Sequence, residues 1–119
     1  MPIIKKSLKN AAARQVDDAL KITELFNDPT AHLDIAIADL KGSHGLRLNN
    51  VSDKFYLVLE GEGTVIIGDE SVKVAPMDVV FIPPGVTHGI TGNLKFLVIM
   101  TPPFDPKIDV TAGVMPQCK

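Results

Sequence analysis

Asp78-Val-Val-Phe-Ile-Pro-Pro-Gly-Val-Thr-His88 is the stretch whose reading decides the fold. Its four consecutive apolar residues, Val79 to Ile82, suit a short strand covered on both faces. Pro83-Pro84-Gly85 then stops the strand, because proline offers no N–H to a ladder and glycine supplies the backbone freedom of a turn. The turn aims His88 back at the body of the protein. A second fully apolar run, Phe96-Leu97-Val98-Ile99, lies just downstream and again demands cover on both faces.

Working outward, short strands are predicted over residues 31–40, 54–60, 64–67, 71–74, 78–82, 88–91 and 94–100. Turns are read at Gly61-Glu62-Gly63, Gly68-Asp69-Glu70, Ala75-Pro76-Met77 and Gly92-Asn93. One helix is predicted, near the start, where Leu8, Ala11, Ala12, Val16 and Leu20 fall roughly on one face. The tail carries Pro102, Pro103, Pro106 and Pro116 and is not suited to a sheet centre. Many short strands at this spacing describe an all-β sandwich or small barrel. The 119 residues are read as a single domain: a helix and arm over 1–30, a barrel over 31–100 and a proline-rich tail over 101–119.

Composition narrows the function classes. Hydrophobic residues at 45% and charged residues at 22% are ordinary for a globular protein. A net charge of −2 leaves no basic stretch to neutralise a run of phosphates, and the Lys5, Lys6, Lys9 cluster reads as a solvated terminus, so no nucleic-acid partner is expected. No apolar run approaches the roughly 20 residues of a membrane-spanning helix, so no membrane partner is expected either. A lone Cys118 and the lack of a signal-peptide core point to a reducing, cytoplasmic setting. Three histidines and one cysteine are too few for a closed structural zinc site of the usual kinds.

The chain resembles the cupin superfamily in two segments in the right order, Phe55-Tyr-Leu-Val-Leu-Glu-Gly-Glu-Gly63 and the opening stretch that ends at His88. The second meets the family pattern at Pro83, Gly85 and His88, with Met77 and Gly92 departing from it. The resemblance implies an antiparallel β-barrel of jelly-roll type, commonly dimeric, with a ligand site in its open mouth. The first family motif keeps its glycines at Gly42 and Gly61, but its three metal-ligand positions hold Leu48, Asn50 and Lys54. The alternative spacing replaces the first two by Arg47 and Asn49, again without a histidine. Of the ligand set that the resemblance implies, only His88 remains.

A divalent cation needs lone-pair donors; leucine has none, and a protonated lysine repels the ion. No cofactor is therefore expected, and any metal would depend on His88 with recruits such as His44 or Glu60. The ammonium of Lys54 replaces the metal as the cation of the cup, beside Asn50, Tyr56 and His88, and this set is the candidate ligand-binding site. His88 is the candidate general acid or base, with Tyr56 as a second catalytic candidate. Each has a plainer reading: Lys54 paired at the rim, His88 hydrogen-bonded after its turn, Tyr56 packed in the barrel, His32 and His44 in surface loops. Substituting Lys54 by methionine or His88 by alanine is expected to weaken ligand binding with little loss of stability.

Three functions stay open. The first is binding of a polar or anionic small molecule, of carbohydrate or carboxylate class, without the usual metal. The second is a metal-dependent enzyme of sugar-isomerase or oxygenase type. The third is an interaction module whose cup is filled by Leu48, Tyr56, Met77 and Phe81. Side-chain alternation places Phe55, Leu57 and Leu59 opposite Lys54 and Tyr56, outside the barrel, which favours a homodimer.

Overall fold

The computed structural model describes residues 3–28 and 30–113, so Cys118 and Pro116 lie outside the described residues. Among the described residues nine strands form one curled, antiparallel sheet: β1 (Ala13–Gln15), β2 (Leu20–Phe26), β3 (Asp34–Ser43), β4 (Leu46–Asn49), β5 (Asp53–Ile67), β6 (Glu70–Val74), β7 (Val79–Ile82), β8 (His88–Thr101) and β9 (Asp109–Gly113). β8 is the spine. It pairs with β3 on one side and with β5 on the other, β4 continues at its first residue, and the sheet extends through β2 and β1 at one edge and β9 at the other.

Alternation along the strands builds the interior. Leu20, Ala38, Leu40, Tyr56, Val58, Val65, Ile82, Ile90, Leu94 and Phe96 make one buried core, and Lys54, His88, Asn49 and Asp109 are buried with them. Phe55, Leu57 and Leu59 point outward, as their parity requires, with the Phe55 ring 5.0 Å from that of Phe81.

The structure corrects the sequence reading in four places. The predicted N-terminal helix reduces to a 3-10 turn at Leu8–Asn10, followed by the β1–β2 hairpin. Asp17 explains the change: its carboxylate accepts hydrogen bonds from the N–H groups of Ala19 (2.8 Å) and Leu20 (2.9 Å), closing a turn where a helix needs those donors for itself. The segments 1–30 and 101–119 are not appendages of a 31–100 barrel, since β1, β2 and β9 belong to its sheet. Gly61-Glu62-Gly63 and Gly92-Asn93 do not end strands either; β5 and β8 run straight through them. At the crossing Gly63 faces Gly92, and a Cβ on Gly92 (φ 137°) would lie 2.6 Å from Gly63 Cα and Glu62 O. These glycines permit close strand contact rather than a turn.

Candidate functional site

The inner faces of β2, β3, β5 and β8 enclose a cavity of about 190 Å³. Its floor is apolar, from Ala36, Ala38, Ile90, Phe96 and Val98, and its polar groups come from six elements of the fold. The cup is open: Met77, 73% exposed, and Phe81 stand outside the barrel, and neither they nor Leu48 line the cavity.

At one end lies a buried charged cluster. The ammonium of Lys54 donates to Asp109 Oδ2 at 2.8 Å and to His88 Nε2 at 2.8 Å. Arg47 approaches the other oxygen of Asp109, with Nε at 3.0 Å and a second nitrogen at 2.8 Å, and also donates to the Asp109 carbonyl and to Thr111. Asn49 completes the shell at 3.4 Å from Asp109 Oδ2, while its own oxygen accepts from the N–H groups of Val51 and Ser52. Burial alone would raise the Asp109 carboxyl, but Lys54 and Arg47 outweigh it and hold the group below the usual range. Lys54 is lowered by its burial, with Asp109 opposing that shift.

His88 has a defined tautomer. Nδ1 donates to the Val86 carbonyl at 2.9 Å, so Nε2 carries the lone pair that accepts from Lys54. Burial and the neighbouring ammonium push the imidazole down to about 4. Both ring nitrogens are engaged, the residue is 1% exposed, and it does not line the cavity. It supports Lys54 from behind.

A divalent cation does not fit this donor set. His88 Nε2 and Asp109 Oδ2, the two donors such an ion would need, both face the Lys54 ammonium. Among the described residues no three His, Cys, Asp or Glu side chains converge to hold a metal.

Of the four residues singled out in the sequence, Lys54, Tyr56 and His88 come together, with the Tyr56 and His88 rings 6.4 Å apart. Asn50 does not join them. It is exposed, and the inward positions of β4 are Arg47 and Asn49, the pair given by the alternative motif spacing. Gly45, with φ 98°, lies between β3 and β4, and the β4–β9 register slips between Leu46 and Arg47.

Sequence reasoning missed Asp109, which no motif marks and which reaches the site only because β9 pairs with β4. It named His44 only as a possible metal recruit or a surface-loop residue. That residue lines the cavity, and its Nδ1 sits 2.6 Å from Asp17 Oδ2, which orients the ring and leaves Nε2 without a hydrogen bond among the described residues. On the wall formed by β2 and β3 stand Glu24 and Asp34, both raised by burial, and each close enough to another carboxylate to be raised further. Tyr56 is raised by burial too, with Asp109 adding to the effect, and its hydroxyl makes no hydrogen bond among the described residues.

Comparison with known proteins agrees with this architecture. Residues 41–100 match the family described as Cupin domain. A segment of 57 residues is 35% identical to an uncharacterized protein of Streptomyces coelicolor, covering 45% of this chain and 54% of that protein, so the chain spans about half the length of the curated relative it matches. Among solved structures, Streptomyces Pac13, described as a unique nucleoside dehydratase, superposes with a TM-score of 0.84 at 16% identity, over 97% of this chain and 95% of that one. KdgF from a Halomonas species gives 0.79 at 13% identity over 90% of this chain and 100% of its own. Bacillus subtilis oxalate decarboxylase gives 0.78 at 18% identity over 93% of this chain and 33% of its own. At such identities the likeness concerns the fold.

Proposed function

The chain belongs to the cupin family, and on that premise we propose that it binds a small, neutral, hydroxyl-bearing molecule in its barrel cavity, without a metal. The observation that carries the reading is the charge balance of the wall. Three cations, Arg14, Arg47 and Lys54, line the cavity beside three carboxylates, Glu24, Asp34 and Asp109, so the charges balance and no cation is left over to hold an anion. The carboxylate class of ligand therefore gives way to the carbohydrate-like one. A volume of about 190 Å³ lies below the roughly 300 Å³ where ordinary ligand pockets begin, which suits a molecule of about one ring.

Calorimetric titration of the full chain with D-ribose, D-glucose, uridine and D-glucuronate tests this. Saturable binding of at least one neutral compound in preference to glucuronate is the expected result. Binding of glucuronate alone, or of none of them, overturns it.

A second reading, acid–base conversion of the bound molecule, is favoured by one specific observation. The Asp17–His44 pair places an oriented imidazole at the cavity wall with Nε2 available to take a proton. Tyr56 lines the same cavity with a hydroxyl that burial keeps protonated, suited to orienting the molecule, and in this reading the acid–base role read for His88 passes to His44. Pac13 is a nucleoside dehydratase of the same fold, and loss of water from a bound hydroxylated molecule is a reaction this pair serves. Product analysis by NMR after incubation with uridine and the two sugars checks it, with conversion abolished in His44→Asn. Conversion that survives in that variant removes His44 from the role.

The outward apolar residues Phe55, Leu57, Val79 and Phe81 support a homodimer formed by this face, since Val79 and Phe81 are 63% and 48% exposed in the single chain.

A further inference from the structure

Glu24 is a polar group of the cavity wall that the fold leaves unsatisfied. It shares the inward parity of Leu20 and Ile22 on β2, and its Oε2 is buried without a hydrogen-bond partner among the described residues. Buried polar atoms nearly always have a partner, and an orphaned acceptor inside a cavity calls for a donor from what the cavity holds.

Strand register shows where that donor would sit. Glu24 pairs with Ala36, Ala36 with Val98, and Val98 with Tyr56, so the four residues form one row across β2, β3, β8 and β5. The small side chains of Ala36 and Val98 form the floor between the two polar ends. The row covers three strand spacings of about 4.8 Å each, and the curl of the sheet turns its ends toward each other. At the far end stands Tyr56, 5% exposed and lining the same cavity, with a hydroxyl able to donate or accept. Asp34, one row over, differs because its Oδ2 already accepts from the N–H of Phe104 at 2.7 Å.

We propose that Glu24 is a ligand-binding subsite whose carboxylate accepts a hydrogen bond from a hydroxyl or amine of the bound molecule, with Tyr56 holding the opposite edge. The ligand is then a ring with a C–H face over Ala36 and Val98 and hydrogen-bonding groups on two opposite edges. This deepens the small-molecule reading above and rests on it.

The test is calorimetric titration of wild type, Glu24→Leu, Glu24→Gln and Tyr56→Phe with D-ribose, D-glucose and uridine, beside thermal melts without ligand. Glu24→Leu is expected to weaken whichever compounds bind the wild type by about ten-fold or more, with Glu24→Gln and Tyr56→Phe losing less. Without ligand, Glu24→Leu is expected to melt about 3–6 °C higher, because it removes an unsatisfied buried acceptor. Wild-type binding that is unchanged in Glu24→Leu overturns the subsite and leaves the cavity reading standing. A wild type silent to all three compounds overturns the cavity reading, and the subsite with it. Should Glu24→Leu melt lower, Glu24→Gln decides: weaker binding at an unchanged melting temperature supports the subsite, and unchanged binding overturns it.

Discussion

An ammonium that donates to a carboxylate and to a neutral imidazole in the same buried cluster commits each partner to one protonation state. Lys54 stays charged, Asp109 stays ionised, and His88 stays neutral because its Nε2 lone pair faces the ammonium. The pH dependence follows from the sign of the His88 shift. Its folded value of about 4 lies below the ordinary 6.5, so the unfolded chain takes up the proton first. Its contribution is intact above about pH 6.5 and declines as pH falls toward 4, by about 3 kcal/mol in all. Urea denaturation at a series of pH values across that window should show the slope, and His88→Gln should flatten it. Asp109, held below the usual carboxylate range, keeps its stabilisation to still lower pH and loses it as pH falls through its own depressed value. Removing Asp109 is the severe change. Asp109→Asn leaves Lys54 and Arg47 buried without their shared anion, at a cost of about 3–5 kcal/mol by equilibrium denaturation. Lys54→Met costs less, about 1–3 kcal/mol, because Arg47 still serves Asp109 while His88 loses its donor. This replaces the sequence-based expectation of little stability loss for Lys54→Met, since Lys54 is 5% exposed and paired rather than free in a wet cup.

Among the elements, β5 and β8 carry the barrel, and the glycines within them show how one residue type misleads and informs at once. Turn chemistry reads Gly61, Gly63 and Gly92 as strand ends, whereas the structure uses them where two long strands press together. Gly92→Ala should cost about 2 kcal/mol or more, because φ of 137° is strained for alanine and its Cβ would meet backbone. A chemical melt compared with alanine at Gly85, where the nearest atom to a new Cβ is 3.8 Å away, separates the close approach from the cost of positive φ. The β2 strand was hidden for a different reason. Leu20 and Ile22 alternate with Lys21 and Thr23, but Leu20 also completes the apolar face read upstream as a helix and Glu24 breaks the apolar parity, so only the Asp17 turn decides.

At the scale of the whole molecule, the curl of one sheet gives two apolar surfaces, one enclosed and one facing out. If the outer face joins two copies as proposed, Phe81→Glu should convert a dimer to a monomer in sedimentation velocity while the melting temperature of the barrel changes little, because Phe81 is 48% exposed. Among the described residues no helix is long and apolar enough to cross a membrane.

The barrel, the inward parity of Lys54 and Tyr56, and the turn before His88 were all legible in the sequence, because period-two alternation and Pro-Gly punctuation are local signals. The partners of Lys54 were not. Asp109 lies 55 residues away and meets Lys54 through the pairing of β9 with β4, and the inward placing of Arg47 and Asn49 rather than Asn50 goes with a register slip between Leu46 and Arg47. Local sequence determined which residues alternate and where the chain turns. Tertiary structure alone decided which charges meet, because long-range strand pairing, and not any short motif, sets the register that neutralises Lys54 and leaves Glu24 unsatisfied.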